Sequence, residues 1–247
     1  MSYPQFKNKH LEEALFGPAD FIKYKNLKGN FPTKYILVYS MKAFNYFKRK
    51  YHPKKIMELN SLNNIYKYKD TGFMIMKGIG SPNAAAIFEE LIILGGKTFL
   101  NIGFAGGLKE DGIFLCNKAL RDEGTSYHYL PHGCFVYPDE NLTKKLGKSI
   151  NQVGLNYKEG STWTLDAPYR ETKAEIECYA KKGISTVEME TSALFAVAKY
   201  RKVKIAAAFV VSDVLEKEWI PKFDKKEVRR NLNLLIDAGV NCLEELK

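Results

Sequence analysis

The chain has 247 residues, 45% of them hydrophobic, and a formal net charge of +10 at pH 7. This length and apolar content suit a folded domain with a full core and exclude an intrinsically disordered protein. The basic residues are scattered along the chain rather than gathered with aromatic residues into one stripe, so the charge favours a lysine-rich solvated surface over a nucleic-acid partner. No apolar run reaches the roughly 18 residues of a membrane span and none resembles a signal peptide, so we expect a cytoplasmic protein without a membrane partner.

The first half of the chain alternates short apolar strands with helical patterns. Strands are predicted over residues 35–39, 73–76 and 98–102, and helices over 43–51 and 83–94. Between the second strand and the second helix we predict a turn, with Ser81 as the helix N-cap and Pro82 at the first helical position. The third strand runs into a glycine-rich stretch, Gly103-Phe104-Ala105-Gly106-Gly107. We interpret it either as a loop whose backbone approaches a ligand or as a close helix–sheet crossing.

The second half continues the same alternation. Strands are predicted over residues 113–120, 157–162 and 205–211, and helices over 141–153, 173–181, 190–200 and 225–246. The pattern predicts one α/β domain spanning residues 1–247, with three layers and a mixed, largely parallel central sheet flanked by helices. Ligands of such sheets bind at the carboxyl ends of the strands, where we expect turns at Gly78, Gly103 and Asp213.

Motifs for metals and cofactors are missing from the sequence. The four cysteines are far apart and fit no zinc spacing. The stretch Gly78-Ile79-Gly80 lacks the third glycine of a dinucleotide fingerprint, since Asn83 stands there, and a tight strand-to-helix turn is the better interpretation. We therefore expect neither a metal nor a cofactor.

Two acids at the ends of apolar elements are the first candidates for a site. Glu190 stands where an apolar strand passes into an apolar helix, and Asp213 follows the apolar run 205–211. Buried carboxylates are costly unless they bind something. Glu188 lies two residues before Glu190 and would face the same side of a strand. The alternatives are that Glu190 is a helix N-cap or first-turn acid and that Asp213 caps a turn.

Three blocks of sequence together resemble the nucleoside phosphorylase and nucleosidase superfamily, which includes uridine phosphorylase and bacterial purine nucleoside phosphorylase. The first block combines residues 78–91 with 98–107. The second, residues 120–131, is most similar to the uridine phosphorylase branch. The third is Val187-Glu188-Met189-Glu190 together with Val211-Ser212-Asp213. The resemblance spans roughly residues 35–246.

The resemblance implies roles for individual residues. Glu190 would bind two ribose hydroxyls and Met189 would pack on the sugar, with Glu188 and Ser212 as further substrate-binding residues of the same motifs. Asp213 falls where purine-specific members carry a general acid for the leaving base, which favours a purine. The implied base-stacking segment contains Trp163 and Tyr169. The family also implies a homo-oligomer, either a dimer or a trimer of dimers.

The chain departs from the family where phosphorylases bind phosphate. The loop after the first strand carries Ser40 for the family glycine and Phe44 for its arginine. Asn101 replaces a second arginine, and Phe104 stands at a hydroxyl position. The arginine donated by a neighbouring subunit would fall near Asn63. A phosphate dianion needs cations or several aimed N–H groups, so the phosphate-binding residues remain unassigned.

We therefore predict an enzyme that cleaves the N-glycosidic bond of a nucleoside, favouring a purine, with phosphate or water as the acceptor. One alternative is a nucleoside-binding or storage protein that has lost the acceptor site, and another is a uridine phosphorylase-like activity on pyrimidines. A third hypothesis gives Lys42 a role in gripping phosphate, either the acceptor or the 5′-phosphate of a nucleotide.

Overall fold

The computed structural model describes residues 3–59 and 63–246. In chain order the elements are α1 (Pro18–Tyr24), β1 (Lys34–Val38), α2 (Met41–Tyr51), β2 (Lys54–Glu58), β3 (Asn64–Tyr68), β4 (Thr71–Ile75), α3 (Ser81–Ile93), β5 (Thr98–Leu108), β6 (Ile113–Asp122), β7 (Phe135–Val136), α4 (Glu140–Gln152), β8 (Lys158–Leu165), α5 (Lys173–Lys181), β9 (Ile184–Glu188), α6 (Thr191–Arg201), β10 (Lys204–Leu215), β11 (Trp219–Pro221) and α7 (Lys226–Glu244). Short 3₁₀ turns occur at Lys9–Leu11, Thr125–His128 and Pro168–Arg170.

These strands join one mixed sheet, which confirms the predicted α/β class. Parallel pairings link β4 to β1, β1 to β5, β5 to β10, and β8 to both β6 and β9. Antiparallel pairings join β2 to β3 and β3 to β4, and also connect β6 with β10 and β5 with β9. Because β5 pairs with both β9 and β10, the strands β5, β9, β8, β6 and β10 close into a ring. The sequence did not predict this closure.

Helices cover both faces of the sheet, as a three-layer fold requires. On one face α2, α4 and α7 pack over a core in which Phe47 stacks on Phe73 with ring centroids 3.7 Å apart. On the other face α1, α3 and α6 cover a second core, where Phe88 meets Phe99 edge-on at 4.5 Å. Within the described residues no helix combines the length and the apolar character needed to cross a membrane.

The glycine-rich stretch after residue 102 continues strand β5, so the prediction of a turn at Gly103 is wrong. Its glycines are required by close packing. A Cβ on Gly106 would lie 2.9 Å from Val187 Cγ1 in the antiparallel partner β9, and one on Gly107 would collide with the carbonyl oxygen of Glu110.

Asp213 also lies inside a strand rather than at a turn. The register of β10 against β5 shifts between Val211 and Asp213, so Ser212 forms an irregularity and Asp213 stands opposite Gly106. Helix α1, the β2–β3 hairpin and the short strands β7 and β11 were not predicted, since these segments lack a clear apolar period.

Candidate functional site

A cavity of about 480 Å³ opens where the ends of β1 and β9 meet the middle of β5 and the irregular part of β10. Its walls carry four carboxyl groups, those of Glu171, Glu188, Glu190 and Asp213. No lysine, arginine or histidine of the described residues lines it. Three of these acids belong to the third sequence block. Glu188 ends β9, Glu190 lies in the turn after it, and Asp213 lies on β10. The structure therefore brings Glu188, Met189, Glu190, Ser212 and Asp213 into one cavity.

Glu188 is held entirely by protein donors. Its Oε2 accepts the backbone N–H groups of Glu190 at 2.9 Å and Thr191 at 2.8 Å, as well as the Thr191 hydroxyl at 2.7 Å. Its Oε1 accepts the Thr164 hydroxyl at 2.6 Å. Burial raises the pKa of Glu188, and these donors act against that shift. The side chain predicted to bind substrate thus caps the start of α6 and fixes the segment that follows.

Glu190 precedes the first residue of α6, but its side chain does not cap the helix. Its Oε1 accepts the backbone N–H of Gly80 at 2.6 Å. Gly80 has a φ of 94°, a conformation that favours glycine, and the turn is the tight strand-to-helix connection that the sequence indicated. The turn between β4 and α3 therefore positions the Glu190 carboxylate.

Ser81 is the first residue of α3 and not its N-cap, which corrects the prediction; Gly80 occupies the N-cap position. The Ser81 hydroxyl instead donates to the carbonyl oxygen of Met189 at 2.7 Å. This contact joins residues 108 apart in the chain, and the bond from Gly80 to Glu190 joins residues 110 apart. The two bonds connect the turn before α3 with the turn before α6. The turn at Gly80 and Ser81 therefore holds both Met189 and Glu190 in place.

The electrostatics of Glu190 leave it suited to a ligand that donates hydrogen bonds. Burial raises its pKa to about 7, the charge of Glu188 adds to that shift, and the N–H of Gly80 opposes it. Additional donors would stabilise the ionised carboxylate. A pair of ribose hydroxyls supplies such donors, and this is the chemistry that the arrangement offers at this end of the cavity.

Asp213, on β10, also lines the cavity and is half-buried. Its Oδ1 accepts the Ser212 hydroxyl at 2.8 Å, and its Oδ2 accepts the indole N–H of Trp219 at 2.9 Å. Ser212 is predicted to bind substrate, but its hydroxyl is directed to Asp213, so it orients the carboxylate. The backbone irregularity at Ser212 brings both groups to the cavity wall.

The two aromatic residues predicted to stack on the base lie elsewhere, and this prediction is corrected. Trp163 is completely buried in the core, where its indole N–H donates to Asp122 at 2.9 Å. Along β8, Thr162 and Thr164 face Glu188, so strand alternation turns Trp163 to the opposite side. Tyr169 is fully exposed. Its neighbour Pro168 is the member of this segment that lines the cavity.

Two titratable residues of the cavity, Glu171 and Tyr39, were not assigned a role from the sequence. Glu171 carries a pKa raised to about 7, by burial first and then by the charges of Asp213 and Glu175. The Tyr39 hydroxyl is buried, and no described residue bonds to it. Burial and the charges of Glu190 and Glu188 hold its pKa well above the usual value. No sequence signal identifies Glu171, since the capping motif Thr172-x-x-Glu175 that follows it predicts only the start of a helix. The sequence does not distinguish Tyr39 from a core residue, because it ends the apolar run predicted as a strand over residues 35–39.

The residues at the positions of the family's phosphate site carry no charge. The Asn101 amide donates to the Thr191 hydroxyl at 3.1 Å, and that hydroxyl donates in turn to Glu188. This chain fixes the amide orientation and leaves the buried Oδ1 of Asn101 without a partner among the described residues. Phe104 lines the cavity, whereas Phe44 is buried against Tyr66 and Phe73.

Lys42 does not enter the cavity. Its ammonium group forms an exposed ion pair with Asp224 at 3.4 Å. Asn63 is buried and accepts the backbone N–H of Lys77 at 3.0 Å. Across residues 3–59 and 63–246, no group of three or more His, Cys, Asp or Glu side chains is placed to hold a metal ion.

The second sequence block has a structural task. Arg121 is buried, and its guanidinium donates to the Ser126 hydroxyl at 2.9 Å and the Pro131 carbonyl at 2.8 Å. Glu123 accepts the Ser192 hydroxyl at 2.8 Å, which ties this block to α6 next to the site. None of these residues lines the cavity. The block therefore supports the site and does not discriminate between substrates directly.

Comparison with known proteins places this architecture in a family. A family model described as the phosphorylase superfamily matches residues 45–244. Purine nucleoside phosphorylase from Plasmodium falciparum (isolate 3D7) is 29% identical over 188 residues, which cover 72% of this chain and 76% of that protein. Uridine phosphorylase from Treponema pallidum is 32% identical over 149 residues, covering 54% of this chain and 58% of that protein. The crystal structure of AMP nucleosidase from Bacteroides thetaiotaomicron superposes with a TM-score of 0.72 at 25% identity, covering 88% of this chain and 91% of that one. On these grounds, and as the resemblance of its motifs predicted, the chain belongs to the phosphorylase superfamily.

Proposed function

We propose that this protein, an enzyme of the pentosyltransferase or nucleosidase type, hydrolyses the N-glycosidic bond of a purine nucleoside. One observation carries the proposal: the cavity presents four carboxyl groups and no cationic side chain among the described residues. A phosphate dianion needs cations or several aimed N–H groups, and negative walls repel it. A water molecule is neutral and needs neither.

The sugar end supports glycosidic cleavage. The Glu190 carboxylate accepts one hydrogen bond from the N–H of Gly80, and its pKa is raised to about 7. It can therefore accept further hydrogen bonds from two ribose hydroxyls. Breaking the bond builds positive charge on the ribosyl ring, and the nearby charge of Glu190 stabilises it. Met189, held through its carbonyl by Ser81, lies beside this carboxylate in the cavity wall. Binding of the sugar and stabilisation of its positive charge by these residues do not require phosphate.

The acceptor end offers a donor and an acceptor to a small neutral molecule. The Oδ1 of Asn101 is a buried acceptor, and the hydroxyl of Tyr39 is a buried donor; neither has a partner within the described part of the chain. Water satisfies both groups, because it donates and accepts hydrogen bonds at once. The Asn101 oxygen would also repel phosphate, whose oxygens are themselves acceptors.

The base end favours a purine. Asp213 is directed into the cavity and accepts bonds from Ser212 and Trp219. A carboxyl group there matches the basic ring nitrogen of a purine, which uracil lacks. The homo-oligomer, the cytoplasmic location and the single-domain organisation stay predictions.

The test is base release with and without phosphate. The purified protein is incubated with inosine, adenosine, guanosine or uridine in phosphate-free buffer and in phosphate buffer, and free base is followed by chromatography. We expect release from a purine nucleoside at the same rate in both buffers. Protein carrying E190Q, prepared in parallel, controls for contaminating enzymes and should release little base.

Other outcomes would contradict the proposal in distinct ways. Release that requires phosphate would assign the enzyme to phosphorolysis. Release from uridine alone would overturn the purine assignment. A nucleoside that raises the melting temperature without being consumed would favour the storage protein.

A further inference from the structure

Trp219 binds the Asp213 carboxyl from outside the cavity. It lies on β11, an edge strand that pairs antiparallel with β10, and the register places Leu215 opposite Trp219 and Asp213 opposite Pro221. Asp213 and Trp219 are therefore diagonal neighbours on one face of the strand pair, a separation that a large aromatic side chain spans. The indole N–H donates to Asp213 Oδ2 at 2.9 Å, whereas Trp219 itself does not line the cavity.

The surroundings of Trp219 differ from those of a core tryptophan. Its side chain is 59% exposed, and it meets the ring of Phe223 at a centroid distance of 6.3 Å. On the other side of Asp213, the facing residue of β5 is Gly106, where an added Cβ would lie 3.5 Å from Asp213 Oδ2. The carboxyl thus lies between a glycine, which leaves room for it, and an indole, which binds it.

The two donors to Asp213 differ in what they can accept. An indole N–H only donates, so the Oδ2 lone pair that binds it carries no proton. A hydroxyl donates and accepts, so Ser212 can bind Oδ1 whether or not that oxygen is protonated. The carbonyl oxygen of Ala105, 3.5 Å from the same hydroxyl, is an alternative acceptor for Ser212. A proton that the carboxyl gives to a ligand therefore belongs on Oδ1.

We propose that Trp219 is the positioning residue of the general acid: it fixes Oδ2 of Asp213, so that Oδ1 presents its proton to the leaving purine. The inference rests on the proposed function. In the reaction the C1′–N9 bond breaks and its electron pair moves into the purine, while the proton on Oδ1 passes to a ring nitrogen. Water bonds to C1′, and the proton that it loses restores the Asp213 carboxyl, so that nucleoside and water become base and ribose.

The indole also stabilises the charge that this proton transfer creates. When the proton leaves Oδ1, the carboxyl becomes an anion whose charge spreads over both oxygens. The N–H of Trp219 is already directed at Oδ2, so its hydrogen bond strengthens as the charge develops, and no group must first reorient. One hydrogen bond to a charged group corresponds to about 10- to 100-fold in rate.

The experiment removes the indole N–H and compares two leaving groups. Inosine needs protonation of its base, whereas p-nitrophenyl β-D-ribofuranoside releases a stable phenolate without it. We expect W219F, which keeps an aromatic ring at this position, to lower kcat for inosine by about 10- to 100-fold with little change in KM. The aryl riboside rate should not change. I220A truncates the neighbouring exposed side chain of β11, which does not line the cavity, and this matched control should behave as wild type.

A second background separates a role through Asp213 from a merely structural one. D213N removes the acid, so the loss of the indole N–H should then have no further effect. The double variant D213N/W219F should therefore cleave inosine at the slow rate of D213N, measured with enough enzyme to follow it. W219F should also melt close to wild type, because the side chain is largely exposed, so that its lower activity does not reflect unfolding.

Three results would overturn the role of Trp219. One is that W219F cleaves inosine at the wild-type rate. Another is that W219F slows inosine and the aryl riboside equally, and the last is that W219F slows inosine cleavage as much in D213N as in wild type. If wild type cleaves inosine only when phosphate is present, the hydrolytic function fails, but the same comparison performed in phosphate still decides the role of Trp219. If wild type cleaves no nucleoside in either buffer, both proposals are wrong.

Discussion

The cavity contains two pairs of carboxyl groups that are built on the same plan. At the sugar end Glu188 is bonded by backbone and hydroxyl donors, while Glu190 receives one N–H from Gly80. At the base end Asp213 has a donor on each oxygen, while Glu171 has none from the described residues. The less bonded acid of each pair has a pKa of about 7. At the sugar end, where both acids belong to one motif, the donors aimed at each acid separate the structural carboxylate of Glu188 from the Glu190 carboxylate that is left for a ligand.

The largest effect should follow from breaking the ligand-binding member at the sugar end. Under the proposed function, E190Q removes charge-assisted bonds to two ribose hydroxyls, each worth about 1.5–3 kcal/mol. We expect kcat/KM for the purine nucleoside to fall by about 10²–10⁴, with the fold intact. Steady-state kinetics provide the measurement. A decrease smaller than about tenfold, or 1.4 kcal/mol, would show that Glu190 does not hold the sugar.

The structural member of the same pair should instead affect stability. E188A leaves the N–H groups of Glu190 and Thr191 and two threonine hydroxyls without their acceptor. Each buried donor without a partner costs about 1–3 kcal/mol, and relaxation offsets part of the total, so we expect a loss of about 3–5 kcal/mol. Urea unfolding of E188A and of E190Q, measured in parallel, compares their free energies of unfolding and tests this prediction. Equal stability of the two variants would contradict the division of roles within the pair.

The raised pKa values predict how stability depends on pH. Burial raises the pKa of Glu190 from 4.5 to about 7, and that of Glu171 likewise to about 7. A group whose pKa is raised by folding adds stability that is complete below its unfolded pKa and is lost as the pH rises through its folded pKa. The free energy of unfolding should therefore fall between about pH 5 and 8, with Glu190 alone contributing on the order of 3 kcal/mol.

Melting curves of wild type and the double variant E171Q/E190Q across this pH range measure that dependence. The double variant should show a shallower decline, because it lacks the two acids that must ionise in the cavity. An identical decline in both proteins would assign the pH dependence to other groups.

The smallest effect should come from the turn that positions Glu190. Gly80 has a φ of 94°, so G80A should cost about 1–2 kcal/mol of stability and shift the N–H that holds the carboxylate. Gly95 has a φ of 104° with open space around it and lies outside the cavity, so G95A is the matched control. Both variants should lose similar stability, but only G80A should raise KM. A raised KM in G95A would refute the specific role of Gly80.

The sequence predicted the α/β class and most strands and helices of the central sheet and its flanking layers, because apolar residues recur there with clear strand or helix spacing. It could not reveal that β5 pairs with both β9 and β10, since ring closure depends on contacts between distant strands. The stretch 103–107 is interpreted from the sequence as a ligand-approaching loop or a helix–sheet crossing, because the sequence alone does not show which neighbours fill the space beside Gly106 and Gly107. Trp163 was misplaced because one strand position decides whether a side chain faces the core or the cavity.

For the site, the sequence identified Glu190 and Asp213 and the loss of arginines at Phe44 and Asn101. It could not give the direction of the Asn101 amide, which depends on the hydrogen-bond chain through Thr191 to Glu188. The importance of Glu171 likewise becomes visible only when the fold places it beside Asp213.

The identity of the sugar product tests the central claim most directly. Wild-type protein is incubated with inosine or guanosine in phosphate buffer, and the sugar released with the base is identified by proton and phosphorus NMR. Hydrolysis predicts free ribose in an amount equal to the base, with no ribose 1-phosphate. Ribose 1-phosphate formed in step with the base would show that phosphate enters the cavity and attacks the sugar, and would contradict the account.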